Sequence, residues 1–155
     1  MTRPKALPRR AGSCWRFFLS VVVLLAATPA CHRSPADSFA RLLDQTASWA
    51  ASVQFAHERR GIGLVPASYL QDLLQTGVEE LTALRKKLAE ADDVSEQARM
   101  EASGACDRLL TVFQAAANNP SALDVSEIRS IEKRLRAQAD GLRERDAATA
   151  RQAGR

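Results

Sequence analysis

Beyond residue 30 the sequence predicts an all-α fold, an antiparallel four-helix bundle. Three observations carry this. The chain is rich in Ala, Leu, Arg, Glu and Gln, residues that lose little on entering a helix. Apolar residues recur in threes and fours along four segments, the 3.6-residue period of a helix with one buried face. No short β-branched run bounded by turn residues interrupts them, so nothing reads as a strand.

The first helix begins at Ser34-Pro35-Ala36-Asp37. Here a hydroxyl caps, proline fills the first turn and an acid faces the positive end of the dipole. Its apolar stripe is Phe39, Leu42, Leu43, Thr46, Trp49, Ala50 and Val53, which predicts a core position for Trp49. Arg59 and Arg60 suit the carboxyl end, and Gly61 is the expected left-handed stop.

Pro66 opens the second helix, with Leu70, Leu73, Leu74, Gly77, Leu81, Leu84 and Leu88 along its seam. A glycine inside a helix costs about 1 kcal/mol against alanine. Close approach of another helix offsets that, and Ala50 or Ala51 is the expected neighbour. Asp93-Val94-Ser95-Glu96 starts the third helix, with Asp93 as cap. Its seam is Ala98, Ala102, Ala105, Leu109, Val112, Phe113 and Ala116. Asn118-Asn119-Pro120 then breaks the chain.

Asp124-Val125-Ser126-Glu127 repeats the earlier tetrapeptide before Ile128, Ile131, Leu135, Ala139 and Leu142. The flanking residues do not match, so the repeat marks two caps rather than a duplicated module. Helices of about 20–26 residues span roughly 30–39 Å, and short connectors between equal lengths favour an up-and-down bundle. From Arg143 onward no large apolar residue remains, and 146–155 reads as a flexible tail. The alternative is one helix from Pro66 to about Ala117, since the second seam continues in phase through Ala91, Ser95, Ala98 and Ala102. That arrangement would make a long helical hairpin and a dimer.

The first 30 residues have a different character. Arg3, Lys5, Arg9, Arg10 and Arg16 stand with no acid, and Phe17 to Ala30 is an uncharged run of 14 residues. That is short of the roughly 20 needed to span a bilayer. A basic flank, an apolar core and small residues before a cut site make a secretory signal. Ala11-Gly12-Ser13 do not continue a twin-arginine motif, so Arg9-Arg10 is read as an ordinary basic flank. The chain therefore divides into a cleaved signal peptide (1–30), a tether (31–34), a helical bundle (35–145) and the tail.

Thr28-Pro29-Ala30-Cys31 resembles the lipobox of bacterial lipoproteins. Ala30 fits; Thr28 stands where leucine is usual, and Pro29 departs from the pattern. The resemblance implies lipidation of Cys31 as the mature N-terminus, and His32 after it, rather than Asp, implies the outer membrane under Gram-negative sorting. The mature part is similar to small helical lipoproteins only in general character, so the resemblance carries over no other functional residue. Plain cleavage after Ala30, releasing a soluble periplasmic or secreted protein, is the open alternative.

Removing the leader changes the charge argument. The whole chain carries 22 basic and 18 acidic residues, +4; without the leader's five cations the balance is −1. The basic isoelectric point belongs to the leader, and a nucleic-acid partner is not expected. Cys106 is then the only thiol besides Cys31. A lone cysteine in an oxidising compartment is expected to be buried and inert.

Catalysis needs a nucleophile, a base or a metal held together, and the sequence offers no such group. His32 lies in the tether, and His57 lies near a helix end, where a surface or capping role is expected. No His-Glu-x-x-His or Glu-x-x-His pair occurs, and neither metal nor cofactor is expected. Glu79-Glu80 and Asp92-Asp93 are adjacent in helical phase, point apart, and read as solvated. Arg129, Lys133 and Arg136 form a stripe that reads as a soluble face, since Glu132 stands four residues before Arg136.

The connector Gly61 to Val65 is unusual in its apolar content. Ile62, Leu64 and Val65, with Tyr69 beside them, either cap the end of the bundle or form an exposed partner-binding edge. Two readings of function follow. One is a non-enzymatic envelope lipoprotein, held to the membrane by lipid on Cys31, that presents a helical surface to an envelope protein. The other is a carrier or sensor holding a small molecule where Gly77, Ala98, Ala102 and Ala105 leave space.

Overall fold

Ser34 opens the first helix as the sequence predicts: its Oγ accepts from the backbone N–H of Asp37 at 3.0 Å. The structure, a computed structural model, describes residues 34–153. The leader, Cys31 and the tether as far as Arg33 lie outside the described residues. Four helices follow in order: α1 (Pro35–Gly61), α2 (Ala67–Ala89), α3 (Glu96–Asn118) and α4 (Val125–Ala153). A 3-10 turn, Pro120–Ala122, separates the last two.

The chain turns at 90–95, so the single long helix does not form. α2 and α3 are separate and pack on each other, as α1 packs on α4. The pairs are antiparallel. Along α1, Ser34, Asp44, Gln54 and Glu58 meet Asp146, Arg143, Glu132 and Arg129 of α4 in descending order. Between α2 and α3, Gly77 lies against Phe113, and one turn on the Cys106 thiol donates to the Leu81 carbonyl at 3.4 Å, again in descending order.

The core is the four predicted stripes facing inward. Phe39, Leu43 and Val53 of α1, Leu70, Leu74, Leu81 and Leu88 of α2, Leu109 and Phe113 of α3, and Ile128, Ile131 and Leu135 of α4 are all fully buried. Each such side chain stabilises the fold by about 1.5–3 kcal/mol relative to exposure. Trp49 packs against this core while remaining half-buried. Among the described residues no helix is long and apolar enough to cross a membrane.

Several local expectations are corrected. The left-handed residue after α1 is Gly63, with φ +76, not Gly61. Its N–H donates to the Arg60 carbonyl, and the Leu64 N–H donates to Arg59, both at 2.9 Å. These two bonds form a Schellman stop, one position pattern that places a left-handed residue just past the cap. Gly77 approaches Phe113 and Trp49, not Ala50 or Ala51. Ser95, not Asp93, caps α3, accepting from the Ala98 N–H at 3.3 Å. In the second copy of the tetrapeptide Asp124 does cap, accepting from the backbone N–H groups of Ser126 at 2.9 Å and Glu127 at 3.1 Å. Finally, α4 stays helical to Ala153, through most of the segment read as a tail.

Candidate functional site

The α1–α2 connector does not cap the bundle. Ile62 is 65% exposed and Leu64 66%, with Tyr69 at 53%; Val65 alone of the four predicted residues is half-buried. The cause lies in the Schellman stop. It turns the chain within two residues and sets Leu64 beside a last helical turn that offers Glu58 and Arg59 rather than an apolar partner; Leu64 is not among the residues packed against the core cluster. Pro66 then starts α2 with an extended backbone, φ −62 and ψ 152.

A fifth residue joins this end. Phe55 is 57% exposed, and the Arg59 guanidinium lies over its ring, 4.9 Å from the centroid. Such a cation–π contact holds an exposed ring in a set orientation and contributes about 0.5–1 kcal/mol. Periodicity gave the signal for Phe55: it falls off the α1 stripe, so a large aromatic there must face outward. Among the described residues five large hydrophobic side chains are exposed. Four of them, Phe55, Ile62, Leu64 and Tyr69, lie between residues 55 and 69; Met100 is the other.

The rim of this surface is basic. Arg59 and Arg60 flank it, and no acid occurs from Gly61 to Gln71. Glu58, the nearest carboxylate in sequence, is engaged by Arg129 of α4 at 3.3 Å. Arg129 also donates to Gln54 Oε1 at 3.3 Å. The buried Gln54 amide in turn donates to Glu132 at 2.7 Å, and Arg136 holds Glu132 at 3.0 Å. The α4 stripe is thus partly bound into the α1 interface, with Lys133 exposed.

Remaining candidates are placed as follows. Glu79, Glu80, Asp92 and Asp93 are exposed, as expected of solvated carboxylates. His57 is half-buried; its Nδ1 is shielded from solvent and without a hydrogen-bond partner among the described residues. Among those residues no three His, Cys, Asp or Glu side chains gather into a metal-binding group. The Cys106 thiol is buried, and its pKa is pushed up to about 12, first by burial and then by the Asp107 charge. A group held so firmly protonated is a poor nucleophile.

The small residues do not open a common chamber. The space at Gly77 is occupied by the Phe113 ring, and Ala102 is fully buried. A groove of about 190 Å³ runs past Ala98 between α3 and α4, with Gln97, Glu101 and Gln138 on its walls. A larger one, about 420 Å³ between α2 and α3, is lined by Gln71, Gln75, Glu79, Gln114 and Asn118. Small-molecule sites are mainly apolar with a few placed polar groups; these walls are mainly polar.

No protein-family model, curated protein or solved structure matches the chain.

Proposed function

We propose that this chain is a non-enzymatic lipoprotein of the cell envelope. Lipid on Cys31 holds it to the membrane, and the α1–α2 end of its bundle binds another envelope protein. One observation carries the binding half: Ile62 and Leu64 are more than half exposed in a connector where the fold had the option of burying them. Holding apolar side chains in water forgoes roughly 25 cal/mol for each Å² that burial would remove. A bound partner recovers that term. The basic rim of Arg59 and Arg60 favours an apolar partner surface bordered by carboxylates.

The leader and Thr28-Pro29-Ala30-Cys31 support the anchoring half. Helix geometry supports the arrangement: α1 has 27 residues, about 40 Å at 1.5 Å each, and separates the tethered end from the connector.

Two measurements test the proposal. Labelled palmitate enters the wild-type chain and not Cys31→Ala. From detergent-solubilised membranes a stoichiometric partner co-purifies with the wild type and is lost with Leu64→Asp, while the circular dichroism of the bundle is unchanged. Recovery of the protein alone, under conditions that preserve membrane complexes, counts against the binding half.

A further inference from the structure

We infer that the open seam between α3 and α4 receives an acidic, amphipathic helix from a partner protein. This surface is separate from the α1–α2 connector and needs no lipid on Cys31. The four helices pack unevenly. α1 is seated closely on α4, and α2 on α3, whereas α3 and α4 meet least of the neighbouring pairs. Gln138 Nε2 reaches across that seam and donates to the Ala98 carbonyl at 3.0 Å. Two grooves, of about 190 and 340 Å³, share Glu101 and Gln138 as wall residues and so form one trough.

The trough has the dimensions of a helix site. It runs from Gln97 to Arg108 on α3 and from Arg145 back to Arg134 on α4, about 16 Å along either wall, or three turns. Ala98, Ala105, Leu135 and Leu142 give it an apolar floor, and Gly141 has open space where a Cβ would stand. A groove of this kind takes a helix whose apolar residues repeat at threes and fours.

Charge selects the kind of helix. On the other seams cations meet carboxylates within the chain: Arg129 with Glu58, Arg143 with Asp44 and Arg85 with Asp107. Arg108 on the α3 wall, and Arg134 and Arg145 on the α4 wall, are exposed. None of the three has a carboxylate partner among the described residues. Glu101 is the acid that lines the trough, and its Oε1 accepts from Gln97 at 2.9 Å. Glu127 lies two turns of α4 beyond Arg134, outside the trough. Three arginines against one carboxylate, standing on both walls of an apolar floor, complement a helix with carboxylates on both sides of its apolar stripe. A second copy of this chain does not supply one, because its helices turn their apolar stripes inward.

The test uses the full chain, purified in detergent. The probe is a stapled helical peptide of about five turns, with a leucine stripe flanked on both sides by glutamates; a second peptide carries glutamine at each glutamate. The glutamate peptide is expected to bind roughly tenfold tighter. That margin is expected to vanish at high salt, and also with Arg108→Gln plus Arg134→Gln, whose thermal unfolding matches wild type. A photoreactive residue in place of Ala137, on the trough wall, is expected to capture the glutamate peptide, and one in place of Leu64 is not. Equal affinity for the two peptides, binding of neither, capture at 64 rather than 137, or self-association of the chain that excludes the peptide overturns the inference. The salt series on the wild-type chain decides the matter even if the double variant unfolds.

Discussion

Phe113 lies against Gly77 so closely that a Cβ added to the glycine would stand 2.9 Å from two of its ring carbons. The contact locks α3 onto α2 at a fully buried aromatic. Gly77→Ala gains about 1 kcal/mol of helix propensity and meets an overpacking cost of about 1–3 kcal/mol. The expected outcome is a net loss of about 1 kcal/mol in urea unfolding. In a Phe113→Leu background the same substitution is expected to be stabilising, because the ring that obstructs it is gone. A gain in the wild-type background contradicts the packing described.

The stop after α1 predicts its own sensitivity. Gly63 holds φ +76, where a side chain costs about 1–2 kcal/mol. Gly63→Ala is expected to lower stability by that amount. Gly61→Ala, at the last helical position with open space around it, is expected to leave stability unchanged or raised. Leu64→Asp, on an exposed side chain, is expected to stay within about 0.5 kcal/mol of wild type.

The two Asp-Val-Ser-Glu tetrapeptides separate by mutation. Ser95→Ala is expected to cost about 1 kcal/mol and Asp93→Ala nothing measurable. At the second copy the order reverses: Asp124→Ala destabilises. Hydrogen bonds from Ser126 and Glu127 hold the Asp124 carboxyl below its ordinary value of 3.8. Its contribution is therefore present above pH 3.8 and lost as acid protonates the folded form. Acid titration of Asp124→Ala against wild type, followed by circular dichroism, checks the sign.

Cys106 predicts the alkaline limb. Its thiol titrates near 9.0 when unfolded and at about 12 in the bundle. Above pH 9 the unfolded chain loses this proton while the folded chain keeps it, so stability falls from pH 9 toward about 12. Cys106→Ala is expected to flatten that part of the profile. In the native protein at pH 8 the thiol is expected to react with a disulfide reagent only as fast as the bundle opens.

Most of the fold was legible because its signals are local. The four stripes, the Ser34 cap and the Asn118-Asn119-Pro120 break each depend on residues within a turn of one another. What was not legible depends on neighbours distant in sequence, or on chemically equivalent choices. Asp93 and Ser95 are both good caps, and only backbone geometry selects one. Gly61 and Gly63 both suit a helix stop. The partner of Gly77 is set by how α3 seats on α2, which no periodicity reports. α4 beyond Leu142 lacks an apolar stripe, yet its alanines and arginines favour helix without one. For the candidate surface, the sequence marked Ile62, Leu64, Val65 and Tyr69 but left open whether they close the bundle or face water. Phe55 completes the exposed set with its Arg59 lid.

Site-specific photocrosslinking in intact cells tests the central claim most directly. A photoreactive residue replaces Leu64 in one strain and Met100, an exposed apolar residue elsewhere on the bundle, in another. A single adduct of discrete mass is expected from position 64 and none from position 100. The same faint ladder from both positions would contradict a binding surface at the α1–α2 end.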